Sequence, residues 1–160
     1  MPRTRILILT LLLALAPVST AFADLTAFIG TTTTPANRAA KGFALGFGVL
    51  VLGFEFEYAS TGEEPLEGAP SLRTGMGNVL LQTPVAIVGL RPYFTAGGGF
   101  YREQLGDIRE THAGINTGGG VKISLLGPIR ARVDYRVFNL KGDPLHSTVH
   151  RLYAGVNLAF

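Results

Sequence analysis

The chain has 160 residues, with 14 Lys and Arg against 11 Asp and Glu, 21 glycines, no cysteine and no tryptophan. That length suits one domain rather than two, and the lack of cysteine rules out a disulfide framework and a thiolate metal site. With Arg3 and Arg5 set aside as part of a leader, positive and negative charges nearly balance, so nothing points to nucleic acid as a partner.

Taken in order, the chain opens with Arg3 and Arg5, an apolar run from Ile6 to Ala16, Pro17, and Ala21-Phe22-Ala23. A basic start, a short apolar stretch and a small-x-small motif mark a secretory signal. The run is shorter than the roughly 18 residues needed to span a bilayer as a helix. Residues 1–23 are therefore expected to form a cleavable signal peptide, helical over 6–16, and residues 24–160 a single mature domain beginning at Asp24.

Eight stretches with period-two alternation follow: Asp24–Gly30, Lys41–Leu50, Gly53–Ser60, Ser71–Gln82, Arg91–Arg102, Thr111–Leu125, Ile129–Leu140 and Ser147–Phe160. Alternation of this kind is the pattern of strands with one apolar face. Thr31–Ala40, Thr61–Pro70, Glu103–Glu110 and Lys141–His146 carry the polar, Gly and Pro residues of loops. Val51-Leu52 and Leu126-Gly127-Pro128 are short connections, and Thr83–Leu90 is intermediate. Long loops at one end and short ones at the other are expected of an outer-membrane barrel. Gly42, Gly46, Gly48, Gly97, Gly99, Gly114, Gly118 and Gly120 fall inside the alternating stretches, where a narrow barrel lumen would use their lack of a side chain.

Parity supports a common face. A two-residue loop at Val51-Leu52 pairs Val49 with Phe54, Phe47 with Phe56 and Leu45 with Tyr58, whereas a three-residue loop at Leu126-Gly127-Pro128 keeps Val121, Ile123 and Leu125 in phase with Ile129, Ala131 and Val133. Leu45, Phe47, Val49, Phe54, Phe56, Tyr58, Val133, Tyr135, Val156 and Leu158 are the expected lipid-facing belt. Glu55, Glu57, Arg130, Arg132, Asp134 and Arg136 occupy the opposite parity. A charge facing mid-bilayer costs about 2–4 kcal/mol, so these six are expected to point inward. The third and seventh of eight strands lie on opposite walls, and an eight-stranded barrel is only wide enough for side chains to fill. The six are thus read as a structural ion network in a closed lumen, with Glu55 or Glu57 reaching Arg132 or a neighbouring Arg. The expected fold is all-β, an eight-stranded antiparallel transmembrane β-barrel with up-and-down meander topology.

The last stretch alternates Leu152, Ala154, Val156, Leu158 and Phe160 with Arg151, Tyr153, Gly155 and Asn157. Together with the leader, Arg91-Pro92-Tyr93-Phe94-Thr95-Ala96-Gly97-Gly98-Gly99-Phe100, Gly114-Ile115-Asn116-Thr117-Gly118-Gly119-Gly120-Val121-Lys122 and Arg132-Val133-Asp134-Tyr135-Arg136, it resembles the small outer-membrane β-barrels typified by OmpA's membrane domain, OmpX and the opacity-like proteins. The resemblance covers essentially the whole mature chain. It implies the outer membrane of a Gram-negative bacterium, both termini in the periplasm, Phe160 as a C-terminal assembly signal read by the barrel-assembly machinery, and contact with outer-membrane lipid including lipopolysaccharide. Members serve adhesion, membrane integrity, small-ligand transfer or lipid modification, so no single activity is implied. The chain departs from the family in lacking Trp, which leaves Phe and Tyr to form the interfacial girdles.

Catalytic chemistry has little support. His112, His146 and His150 fall near the loop end, with Ser147 beside His146, but the orienting carboxylate and His/Ser spacing of a hydrolytic barrel are missing. His146 and His150 are too far apart on a strand to chelate an ion without further ligands, and Gly97-Gly98-Gly99 lacks the Lys and the strand-turn-helix setting of a phosphate loop. The favoured expectation is a non-enzymatic scaffold presenting external loops for envelope integrity or adhesion, without cofactor or metal and of open oligomeric state. The alternatives are a barrel enzyme acting on lipid A or phospholipid and a soluble lipocalin-like periplasmic carrier, which would turn the apolar face inward.

Overall fold

The computed structural model describes residues 21–160. Eight antiparallel strands close on themselves in sequence order: β1 Ala21–Thr32, β2 Arg38–Val49, β3 Leu52–Thr61, β4 Ser71–Gln82, β5 Leu90–Leu105, β6 Ile108–Leu126, β7 Ile129–Leu140 and β8 Thr148–Ala159. Closure by β1–β8 pairing, from Asp24↔Ala159 to Thr32↔Arg151, leaves no free edge. Phe160 and Ala23 exchange backbone hydrogen bonds of 2.9 Å at the seam. The helix expected over residues 6–16 lies outside the described residues, while Ala21-Phe22-Ala23 opens β1 opposite Phe47 to Val49.

Strand partners followed once around the barrel run from Phe22 through Gly48, Gly53, Leu80, Thr95, Gly118, Arg136 and Arg151 back to Thr32, ten residues further along β1. Such a stagger requires strands tilted by roughly 35–45° to the axis. Seven of the eight interior glycines answer a real shortage of room, whereas a Cβ on Gly114 would meet its neighbours at an ordinary 3.4 Å. A Cβ on Gly120 would lie 2.5 Å from the Tyr93 hydroxyl, and one on Gly46 would lie 2.6 Å from Oδ1 of Asp24.

One register and one turn differ from the sequence expectation. The β2–β3 turn is Leu50-Val51, so Val49 pairs with Leu52, Phe47 with Phe54, Leu45 with Phe56 and Phe43 with Tyr58, two residues away from the pairing expected. Leu50 takes a left-handed φ of 55°, which closes the hairpin one residue earlier. The rings then meet across the strands, Phe47 with Phe54 at 5.5 Å and Phe43 with Tyr58 at 5.8 Å. At β6–β7 the turn is Gly127-Pro128, and an irregularity between Ser124 and Leu126 absorbs the extra residue, leaving Ile123 opposite Ala131. A bulge there does the work expected of a three-residue loop. The segment Glu103–Glu110 is not a loop: β5 and β6 continue through it to a tight turn at Gly106-Asp107, with Gly106 at φ 59°.

The short turns share one end of the barrel with Ala21 and Phe160. The other end carries Thr33–Asn37, Gly62–Pro70 with its 3-10 turn at Pro65–Glu67, the β5–β6 hairpin and Lys141–Ser147. Buried Arg38 ties two of these loops together, donating to the carbonyls of Pro70, of Thr34 at 2.8 Å and of Gly62 at 3.3 Å. Gly106 N donates to Glu63 at 2.9 Å, and Leu145 N to Glu103 at 3.3 Å. Leu45, Phe47, Val49, Phe54, Phe56, Tyr58, Val133, Tyr135, Val156 and Leu158 all lie on the outer face, 36% to 63% exposed.

Candidate functional site: a filled lumen

Inside the barrel, alternation delivers polar side chains from every wall into one space. Glu55 and Glu57 descend from β3, and Arg132, Asp134 and Arg136 face them from β7. Arg132 pairs with Glu55 across the lumen, and its Nη2 lies 2.9 Å from Asp134 Oδ2. Arg136 bridges three carboxylates, at 2.7 Å to Glu55, 3.0 Å to Glu57 and 3.1 Å to Asp134. All five are buried, with Arg132, Arg136 and Glu57 fully enclosed. Multidentate guanidinium pairing of this kind satisfies charges that water cannot reach.

Arg130, expected in the same network, stands apart. It lies next to the Gly127-Pro128 turn, opposite Ser124 and Asn157, is partly exposed, and has no ion-pair partner among the described residues. One step along β7 from Arg132 carries it out into the mouth, beyond the reach of Glu55.

The structure adds members that the charge pattern of β3 and β7 did not announce. Arg151 on β8 reaches Glu57 at 3.3 Å, and the Tyr153 hydroxyl donates to the same carboxylate at 3.1 Å. Tyr93 on β5 donates to Asp134 and accepts from Arg132 Nε at 2.7 Å, while its ring lies 5.0 Å from the Arg132 guanidinium. Lys122 on β6 pairs with Asp24 on β1, both buried, near the turn end. Arg151, Tyr153 and Lys122 all stood at inward parity in their strands, so period two was the signal available; the pairing of Lys122 with Asp24 needed barrel closure. Four buried cations, Lys122, Arg132, Arg136 and Arg151, meet four buried carboxylates, Asp24, Glu55, Glu57 and Asp134.

Toward the loop end the filling turns apolar. Leu72, Met76, Tyr101, Phe138, Leu140 and Val149 form a buried cluster over the ions. Arg151 joins the two layers, its guanidinium 4.4 Å from the Phe138 ring centroid. The charged positions alone do not announce this apolar cap.

The histidines do not converge. His150 faces outward, its Nδ1 2.7 Å from the Tyr135 hydroxyl, whereas His112 sits beside Glu110 on β6 with its ring tilted against Tyr101 at a centroid distance of 6.2 Å. Among the described residues no three His, Cys, Asp or Glu side chains are grouped to hold a metal ion.

No family model matches the chain, and no curated protein resembles it in sequence. Solved structures do resemble it in shape. Over 88% of this chain and 97% of the other, it superposes on Neisserial surface protein A (NspA) with a TM-score of 0.70 at 16% identity. The N-terminal β-barrel domain of Pseudomonas aeruginosa OprF gives 0.67 at 18% identity, over 87% and 97%. The fold is that of the small outer-membrane β-barrels. The outer membrane enzyme PagL has the same architecture, with a TM-score of 0.54 at 12% identity over 84% and 98% of the two chains. An apolar exterior wrapped around a charged interior is what such a barrel needs in lipid, where backbone and charge must be satisfied internally.

Proposed function

We propose that this protein is a bacterial outer-membrane scaffold: a barrel sealed by its own side chains that holds an ordered loop surface outside the cell and has no turnover of its own. The observation that carries this reading is the lumen, where balanced ion pairs lie beneath an apolar cap. A sealed barrel offers no diffusion path, so the surfaces left for function are the belt and the loop end. That end is held together by Arg38, Glu63 and Glu103 and presents the projecting β5–β6 hairpin, which suits adhesion or envelope contacts. In this reading residues 1–23 are a removed leader. The barrel-assembly machinery recognises the last strand and exposed Phe160, and outer-membrane lipid including lipopolysaccharide surrounds the belt.

A lipid-modifying enzyme would need a nucleophile and an oriented base together; Ser147 is exposed and His150 is engaged by Tyr135 on the outer wall. A soluble carrier would need Phe47, Phe54, Phe56 and Val133 inside, but they are 63%, 47%, 50% and 41% exposed on the outer face. The test is planar-bilayer recording of the purified folded protein beside incubation with lipid A and phospholipid. A scaffold gives neither porin-like conductance nor released acyl chains; either one would replace this reading.

A further inference from the structure

The turn end of the lumen contains more positive charge than the protein neutralises. Arg91, Lys122 and Arg132 are cross-strand neighbours in one inward row through β5, β6 and β7, and Arg130 stands one inward position nearer the mouth, opposite Ser124. Lys122 is answered by Asp24, and Arg132 by Glu55 and Asp134. Arg91 and Arg130 are half-buried, yet no carboxylate lies within ion-pair distance of either among the described residues, and residues 1–20 contain no acidic side chain. The acid that acts on Arg91 is Asp24, which already serves Lys122, while Arg130 is close enough to Arg91 to repel it. The turns at residues 50–51, 83–89 and 126–128 hold no charged side chain, so the rim supplies no counter-charge either.

Polar groups at the base of the same mouth are also unpaired. Nη1 of Arg130 is buried without a hydrogen-bond partner, and neither amide atom of Gln82 has one although Gln82 is only 4% exposed. Gln82, Asp24 and Lys122 line one small space together with Phe22. The Phe22 ring lies between two cations, its centroid 6.0 Å from the Arg91 guanidinium and 5.9 Å from Lys122 Nζ. With the ring in place that space is about 10 Å³, room for a single water. Phe22 belongs to the segment read above as a removed leader, so processing at Asp24 takes the ring away and opens the space between Arg91, Lys122 and Gln82.

We propose that the turn-end mouth of the mature barrel is a blind binding site for a small phosphate-type dianion, held between Arg91 and Arg130 with the Gln82 amide beneath it, and that Phe22 covers this site until the leader is removed. A guanidinium fork offers a phosphate two parallel hydrogen bonds, and the amide adds a donor without adding charge. Two uncompensated cations match two negative charges, which restores at the mouth the balance found deeper in the lumen. The unpaired Oδ1 of Asp24 is directed at Gly46 on β2, the wall away from Arg91. Arg91 and Arg130 point into the lumen rather than along the belt, so the ligand is a soluble ion and not a headgroup of the surrounding bilayer. Arg132 and Glu55 close the site from above, so the ion enters and leaves from the turn side alone.

The inference rests on the barrel and leader readings, and the experiment keeps them apart. The full mature chain from Asp24, folded in nonionic detergent, is titrated by calorimetry with inorganic phosphate, with glycerol 1-phosphate and with chloride. Phosphate should bind at one site that chloride does not compete for; glycerol 1-phosphate binding more tightly assigns a small ester as the ligand, and weaker binding assigns the free ion. Losing one charge-assisted contact weakens binding about tenfold. Arg91→Gln and Arg130→Gln should each show that loss, and Arg73→Gln, exposed on the outer wall, should show none. A chain that begins at Ala21 and keeps Phe22 should bind phosphate at least tenfold more weakly, by the same measure, than the chain from Asp24. Unchanged binding in Arg91→Gln/Arg130→Gln, displacement of phosphate by equimolar chloride, or equal binding with Phe22 present overturns the inference. None of the substituted arginines belongs to the ion network, so every variant should keep the heat-modifiable gel band. A protein without that band fails the barrel reading itself, and an exported chain that does not start at Asp24 fails the leader reading; a folded barrel from Asp24 that ignores phosphate fails this inference alone.

Discussion

Removing the Glu57 carboxylate should expose how strongly the lumen depends on charge balance. Glu57 is fully buried and receives Arg136 at 3.0 Å, Arg151 at 3.3 Å and the Tyr153 hydroxyl at 3.1 Å. In Glu57→Ala, Arg136 retains Glu55 and Asp134, but Arg151 keeps only the Thr74 hydroxyl at 3.3 Å and the face of Phe138. One fully enclosed guanidinium is then without a counter-charge, a change that costs about 3–5 kcal/mol. With a guanidinium slope of a few kcal/mol per molar, the unfolding midpoint should fall by about 1 M. Because the chain has no Trp, unfolding is best followed in lipid vesicles by far-UV circular dichroism and by the heat-modifiable gel shift. The double change Glu57→Ala/Arg151→Met should recover most of the loss, because it removes the orphaned charge while keeping volume. A midpoint that does not move, or a double variant no better than the single one, would mean that water reaches Arg151 and that the lumen is open.

Three further outcomes are expected. Gly120→Val should abolish the folded band on a heat-modifiability gel, since its Cβ would sit 2.5 Å from the Tyr93 hydroxyl in the middle of the Arg132 and Asp134 pairings; normal folding would show that the wall can yield. Phe56→Arg, 50% exposed on the outer face, should lose about 2–4 kcal/mol of folding free energy in vesicles and much less in small micelles that adapt around it. Insertion with unchanged yield would move Phe56 out of the hydrocarbon. N-terminal mass spectrometry of the exported protein should begin at Asp24, and a start before Leu15 would overturn the leader assignment.

How far the sequence reveals this structure follows from which interactions are local. Period two needs only neighbouring residues, which is why the limits of β4 and β7 and the sidedness of Phe54, Glu55, Phe56 and Glu57 could be read directly. The β2–β3 register could not, because Leu50-Val51 contains none of the residues that favour a tight turn, and a leucine at positive φ is unannounced. The β5–β6 hairpin was hidden for another reason. Glu103, Arg109 and Glu110 look like loop residues, but a strand that projects beyond lipid is solvated and tolerates the same charges. Lys122 and Asp24 are 98 residues apart and meet only when β8 joins β1 and the stagger is set. The inner partner of a given charge is therefore a property of closure, while its inward direction is a property of the strand.

The same distinction explains why a small barrel carries charge in its core at all. Well-packed apolar residues in place of a buried ion pair are often neutral or stabilising, so the network is weak evidence for stability as such. In lipid, however, an apolar interior would make the two faces of each strand alike, and a one-residue slip exchanges every side chain between them. With Arg132, Asp134 and Arg136 on one face of β7 and Val133 and Tyr135 on the other, such a slip would drive two guanidiniums into hydrocarbon at about 2–4 kcal/mol each, and the Asp134 carboxylate at a smaller cost. The apolar cap of Leu72, Met76, Phe138 and Val149 lies toward the loop end, where the extended β5–β6 hairpin and the Arg38 contacts already hold the register. Charge is concentrated where the wall is thinnest in such constraints, between the turns and mid-barrel, and there it specifies which face is inside.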